Sequence, residues 1–155
     1  MTASQFSIEQ ATVAAQAADE KLGSNVAVID VSNVMAITDI FVIASADTER
    51  QVAAIVDEVE DALTKIGAEP KRREGNREFR WVLLDYGNFV VHVQREAERD
   101  FYGLDRLYAD CPVIEVEGIE PYQRPGDFVD FAEVREAAKI EDLPLAGEGP
   151  DADEF

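Results

Sequence analysis

Metal-dependent phosphoryl or nucleotidyl transfer needs two carboxylates close enough to bridge a divalent ion. On a strand that means acids at positions i and i+2, pointing to one face. Residues 1–112 contain no Asp-x-Asp; the one such pair, Asp151 and Asp153, stands near the C-terminus. Asp30, Asp39 and Asp85 are isolated at the ends of apolar runs, where turn and capping carboxylates belong. Phosphate-cradling glycine loops, Gly-x-Gly-x-x-Gly or Gly-x-x-x-x-Gly-Lys-Ser/Thr, do not occur. His92 and Cys111 are the single histidine and the single cysteine. Two ligands in different elements make no metal centre. His92 alternates with Val90 and Gln94 on one strand face, which favours a structural histidine bonded to a neighbour. A Cys111–His92 nucleophilic pair has nothing in the spacing to align it. No catalytic residue, metal site or cofactor is expected.

Lys71, Arg72, Arg73, Arg77 and Arg80 put five of the fourteen bases into eleven residues and could meet phosphate. Glu74 and Glu78 interrupt them, so a solvated, partly self-paired loop is the simpler reading. Trp81, the single tryptophan, shares a strand face with Phe79 and Leu83. Core packing is the default for such a residue, and tryptophan is also enriched at interface hot spots.

The chain of 155 residues carries 33 acids, 14 bases and a formal net charge of -19. That suits one domain and argues against a grip on bare nucleic acid, which works through clustered Lys and Arg. It favours a basic partner. Residues 113–155 hold 13 acids and 3 bases. We therefore expect a domain over 1–112 and an acidic extension over 113–155, with one short helix across 127–140 and disorder beyond Asp142. A single cysteine excludes an intrachain disulfide and fits a reducing cytoplasm. Met1–Gln10 lacks the basic and apolar stretches of a secretory signal, and no apolar run is long enough to span a bilayer.

These residues must be positioned by a small set of elements. Ser7 and Gln10 fit a capping box, followed by an apolar stripe through Ile8, Ala11, Ala14, Ala15, Ala18 and Leu22 and a stop at Gly23. Val26–Val31 and Ile40–Ala44 read as buried strands. Asp47 caps a helix whose Val52, Ile55, Val56, Val59, Leu63 and Ile66 recur at steps of three and four. A turn is expected at Gly75-Asn76, and Phe79–Leu84 and Phe89–Val93 flank Asp85-Tyr-Gly-Asn88 as a hairpin. A third helix runs over 96–108, with Phe101, Leu104, Leu107 and Tyr108 on one side. The order α, β, β, α, β, β, β, α predicts an α/β (α+β) fold, one layered domain with a mixed sheet and flanking helices.

Several of these segments, in this order, resemble the ribosomal silencing factor family, also called Iojap or RsfS. They are Ile37–Ala44, Ser45 with Arg50-Gln51-Val52, Glu74-Gly75, Trp81–His92, and Glu98-Arg99-Asp100-Phe101-Tyr102 with Leu104 and Leu107. The resemblance runs from about Ile8 to Pro112, and the acidic extension is reminiscent of actinobacterial members. It implies a nucleotidyltransferase-like fold without that catalysis. It also implies binding to the large ribosomal subunit through large-subunit protein fourteen, a block on joining of the small subunit, repression of translation under nutrient limitation, and a homodimer when free. The alternatives are a large-subunit assembly factor and a nucleotidyltransferase-like enzyme. On this resemblance the partner-binding residues are expected to be Trp81, Leu83, Asp85, His92, Arg99 and Tyr102, with Trp81 an interface anchor. No membrane and no sequence-specific nucleic acid is expected as a partner.

Overall fold

Ser4 starts the first helix. In the computed structural model, which describes residues 3–75 and 78–124, its hydroxyl accepts a hydrogen bond from the Ser7 amide at 3.1 Å, and helix α1 runs Gln5–Glu20. The expected Ser7/Gln10 cap is therefore displaced by one turn. The reason is tertiary: the Ser7 hydroxyl donates to Asp39 at 3.0 Å, and Gln10 accepts from Asn88 at 3.1 Å. Ala11, Ala14, Ala15 and Ala18 are fully buried, so the helix lies close on its neighbours along small side chains. Leu22 does not continue that stripe. It takes a positive φ of 64° just past the helix end and is 80% exposed.

Strand β1 (Ser24–Asp30) pairs antiparallel with β2 (Ile40–Ala46). Helix α2 (Glu49–Lys65) follows, capped by Thr48, whose hydroxyl accepts from the Gln51 amide at 3.1 Å, instead of by Asp47. Its Val52, Ile55, Val56, Val59 and Leu63 are buried as the spacing requires; Ile66, beyond the last turn, is 51% exposed. Strands β3 (Arg72–Gly75), β4 (Trp81–Asp85) and β5 (Phe89–Arg95) complete a sheet of order β1-β2-β5-β4-β3. Only β2 and β5 are parallel, so the sheet is mixed as expected. Among the described residues, no helix is long and apolar enough to cross a membrane.

Alternation sorts the strands onto two faces. Val28, Val42, Val82, Leu84, Phe89, Val91 and Val93 form one core with the inward sides of α1 and α2. Ile29, Phe41, Ile43, Trp81, Leu83 and Val90 form the other, covered by Leu104, Tyr108 and Cys111.

The expected third helix is two. Helix α3 (Glu96–Tyr102) ends at Gly103, whose left-handed φ of 62° and ψ of 41° a side chain would strain, and α4 (Leu104–Leu107) starts afresh. The break ends the helical phase. Leu104 and Tyr108 are buried, while Phe101, placed with them by spacing, is 61% exposed.

Residues 113–124 stay on the body. Val113 bridges Ile29, the Ile114 amide donates to the Val28 carbonyl at 2.8 Å, and Ile114, Val116 and Ile119 pack on the first core. The helix expected over 127–140, the disorder expected beyond Asp142, the Asp151/Asp153 pair and Asn76 of the expected turn lie outside the described residues.

Candidate functional site

Strand register aligns Ser24, Ser45, Gln94 and Trp81 as one cross-strand row on the second face, at the end of the sheet. Helix α3 leaves β5 at Arg95 and passes over this row. Its Arg99 is buried and makes two hydrogen bonds of 2.9 Å to the Asp105 carboxylate. It also donates to the Ser24 and Asn25 carbonyls and to the Ser45 hydroxyl at 2.8–3.0 Å. A guanidinium has five N–H donors in a rigid fork, and this site uses them to weld α3, α4, β1 and β2 together. Burial pushes Asp105 up. The hydrogen bond and charge of Arg99, with the Tyr122 hydroxyl at 2.6 Å, outweigh it and hold the carboxyl below its ordinary value.

At the other end of the row Trp81 is 1% exposed. Its Nε1 donates to His92 Nδ1 at 3.2 Å, and its ring lies 4.9 Å from that of Tyr102. His92 is fully buried, edge-on to Phe41 at 4.7 Å. Burial alone pushes its pKa from 6.5 down to about 3, so it is neutral and carries its hydrogen on Nε2. With Nδ1 occupied, it cannot serve as a base toward Cys111 through that nitrogen.

This arrangement revises the site read from sequence. Trp81, Leu83 and His92 are core residues, and Arg99 is a buried strut; none of the four offers a side chain to a partner in this conformation. Tyr102, half-buried, is the member of the set at the surface above Trp81. Asp85 stands at the opposite end of β4, ~13 Å from Trp81 at ordinary strand rise. There it accepts from the Gly87 amide at 2.8 Å and shapes the hairpin turn. Sequence spacing hid Phe101, which stands exposed beside Tyr102 with ring centroids 4.9 Å apart. The signal for it was Gly103, which breaks the helical register.

The remaining candidates have structural partners. Asp30 accepts from the Ser32 amide and hydroxyl and from the Ala3 amide, and Asp39 accepts from Ser4 and Ser7. Arg80 pairs with Glu78 at 2.7 Å and Arg72 with Glu74 at 3.5 Å inside the basic segment, while Arg73 pairs with Glu60 of α2 at 2.8 Å and Arg80 is buried, so the segment is partly self-paired and partly tied to the body instead of being a solvated loop. Among the described residues, no group of three or more His, Cys, Asp or Glu side chains is placed to hold a metal ion.

The buried histidine gives a checkable pH dependence. The unfolded chain binds a proton at His92 near pH 6.5, and the folded chain does not until about pH 3. Stability from this group is therefore full above pH 6.5 and declines as pH falls toward 3, by roughly 1 kcal/mol per pH unit. The His92 ring resonances should stay constant between pH 8 and 4 while the protein is folded. A midpoint near 6.5 would show that the ring is solvated.

A family model described as "Ribosomal silencing factor during starvation" matches residues 4–141, so the likeness extends well past Pro112 and is longer than the Ile8–Pro112 span of the motifs. The ribosomal silencing factor RsfS of Halalkalibacterium halodurans is 38% identical over 107 residues, covering 69% of this chain and 92% of that protein. The RsfS of Bacillus subtilis is 35% identical over 105 residues, covering 68% and 89%. Among solved structures, a Chromobacterium violaceum protein superposes with a TM-score of 0.65 at 28% identity, covering 81% of this chain and 95% of the other. A Bacillus halodurans protein does so with a TM-score of 0.62 at 35% identity, covering 70% and 99%. A family match over most of the chain, near-full coverage of its relatives and the same mixed-sheet architecture lead to one conclusion: this chain belongs to the ribosomal silencing factor (RsfS) family.

Proposed function

We propose that the protein binds the large ribosomal subunit through large-subunit protein fourteen, keeps the small subunit from joining, and lowers translation when nutrients are scarce. It does so in the cytoplasm and without catalysing a reaction. Family membership supports the ribosomal setting. The observation that carries the contact itself is Phe101, a large apolar side chain 61% exposed on a helix that Arg99 anchors from below. An exposed aromatic on a rigid base loses little side-chain entropy on docking and suits a hot spot. In this reading Phe101 and Tyr102 touch the partner. Trp81, Leu83 and His92 support Tyr102 from beneath, and Arg99 positions the helix. Blocking subunit joining then needs only occupancy of the space that the small subunit would fill.

Sedimentation of the protein with separated subunits through a sucrose gradient tests this. It should travel with the large subunit and reduce the yield of joined ribosomes. Phe101→Glu should melt like the parent and bind the large subunit on the order of thirtyfold more weakly. Equal binding by Phe101→Glu would defeat the assigned contact, and failure to sediment with the large subunit would defeat the whole reading. With a net charge of -19, association with a basic protein should also slow with salt, the on-rate falling more than the off-rate rises.

A further inference from the structure

Residues 113–124 meet β1 at two places. At the first, Val113 and Ile114 bridge Ile29 and Val28. At the second, the Asn25 side-chain amide exchanges two hydrogen bonds with the Gln123 backbone, at 2.8 and 2.9 Å. Between these points the segment bows away, turning at Gly118 (φ 90°), while Gln16 of α1 donates to the Glu117 carbonyl at 3.2 Å. The pairing of β1 with β2 also shifts register here, between Ser24 and Ala27. The result is a hollow of about 320 Å³ with Val26 and Val28 on its wall, and a second of about 580 Å³ beside it that shares Val26 and the 118–121 turn. Leu22, 80% exposed, stands at the edge of the second.

The first hollow is lined mostly by apolar surface, the second mostly by polar surface, and the rim is acidic. Val116 and Ile119 turn partly inward, while Glu115, Glu117 and Glu120 are exposed around the mouth and Asp19 adds a fourth carboxylate. We propose that this groove, between β1 and residues 113–122, is a docking site for a basic polypeptide segment that seats an aliphatic side chain against Val26 and Ile119 and aligns flanking Lys or Arg with the rim. Charge selects this occupant. The chain's own residues 125–155 hold 10 acids and 2 bases, and a second copy brings a net charge of -19. Both are repelled by the rim, whereas a basic segment is drawn to it. The groove lies at the β1 edge; its lining meets the Arg99–Asp105 network at Ser24, Asn25 and Tyr122 but includes neither Phe101 nor Tyr102, so peptide binding here is read apart from the Phe101 contact.

The test uses the full chain, labelled for NMR, and the peptide acetyl-Lys-Lys-Leu-Lys-Lys-amide at low salt. Amide signals of Val26 and of residues 114–120 should shift saturably. Replacing the peptide's Leu by Ser should weaken binding about tenfold or more, the loss of one buried aliphatic side chain. The combined variant Glu115→Gln, Glu117→Gln, Glu120→Gln should weaken it by a similar factor without lowering the melting temperature. Shifts spread over the whole acidic surface, with the Ser peptide binding equally well, would overturn the proposal as a non-specific polyanion effect. Groove signals that move in the full-chain variant Phe128→Ser, Phe131→Ser without peptide would show the protein's own tail as occupant. Groove signals that depend on protein concentration would show a second copy. Either result overturns it.

Discussion

Trp81→Ala should lower the unfolding free energy by about 3–5 kcal/mol, the loss expected for truncating a large aromatic in a closed core. The side chain is 1% exposed, tilted against the Tyr102 ring and bonded to His92. The substitution opens a cavity and leaves a buried His92 nitrogen without its donor. Trp81→Phe separates the two effects. It keeps most of the ring volume, removes the N–H, and should cost about 1–3 kcal/mol, the penalty for an unsatisfied buried acceptor. Urea denaturation followed by far-UV circular dichroism measures both. The single tryptophan should also emit at the short wavelengths of an apolar site in the parent and shift red as the chain unfolds. A Trp81→Ala protein that unfolds with the parent's midpoint, while losing large-subunit binding, would return this residue to the surface role that the family resemblance suggested for it.

Arg99→Ala should destabilise by a comparable amount, about 3–5 kcal/mol, because it strands the Asp105 carboxylate in a buried place with its charge uncompensated. Asp105→Ala should do nearly the same from the other side. The double variant Arg99→Met, Asp105→Leu should be clearly more stable than either single change, since no lone charge remains and the volume is kept. The pH dependence has a fixed sign. Asp105 and Asp30 both have carboxyls held below 3.8 in the fold. For Asp30, burial pushes up and the hydrogen bonds from Ser32 and Ala3 outweigh it. Each therefore adds stability that is present above the ordinary carboxylate value and lost as pH falls through the lower folded value. In Asp105→Asn the part of the acid-induced loss that belongs to this residue should vanish. Acid unfolding curves of Asp105→Asn and parent that remain parallel through that range would show the pair to be solvated.

The Tyr122 hydroxyl extends this network to the segment after Pro112. Removing the residues beyond Val113 from this body would strip Ile114, Val116 and Ile119 from the first core. A shortened chain should therefore melt below the parent, by more than removal of solvated residues would cause.

Much of the fold is written locally. The α2 stripe is legible because Val52, Ile55, Val56, Val59 and Leu63 repeat at the helical period, and a helix folds by contacts three and four residues apart. The β4–β5 hairpin is legible because Asp85-Tyr86-Gly87-Asn88 turns the chain by its own hydrogen bonds. The face on which Trp81 and His92 lie follows from alternation, and the family follows from motifs in order. Whether that face is open or covered does not follow. It depends on α3 and α4, which begin 15 and 23 residues after Trp81 in sequence, and on Gly103, which redirects the chain so that Leu104 and Tyr108 enter the core and Phe101 leaves it. The same holds for the cap of α1. Ser7 has the right type and spacing, but its hydroxyl is taken by Asp39, 32 residues away, and Ser4 caps instead. Arg99 with Asp105 and Tyr122, and Asn25 with Gln123, join segments whose proximity no local pattern encodes. Period and propensity act between near neighbours. Burial and pairing are settled only when distant segments meet, and there the tertiary structure turned an expected interface tryptophan into a core one.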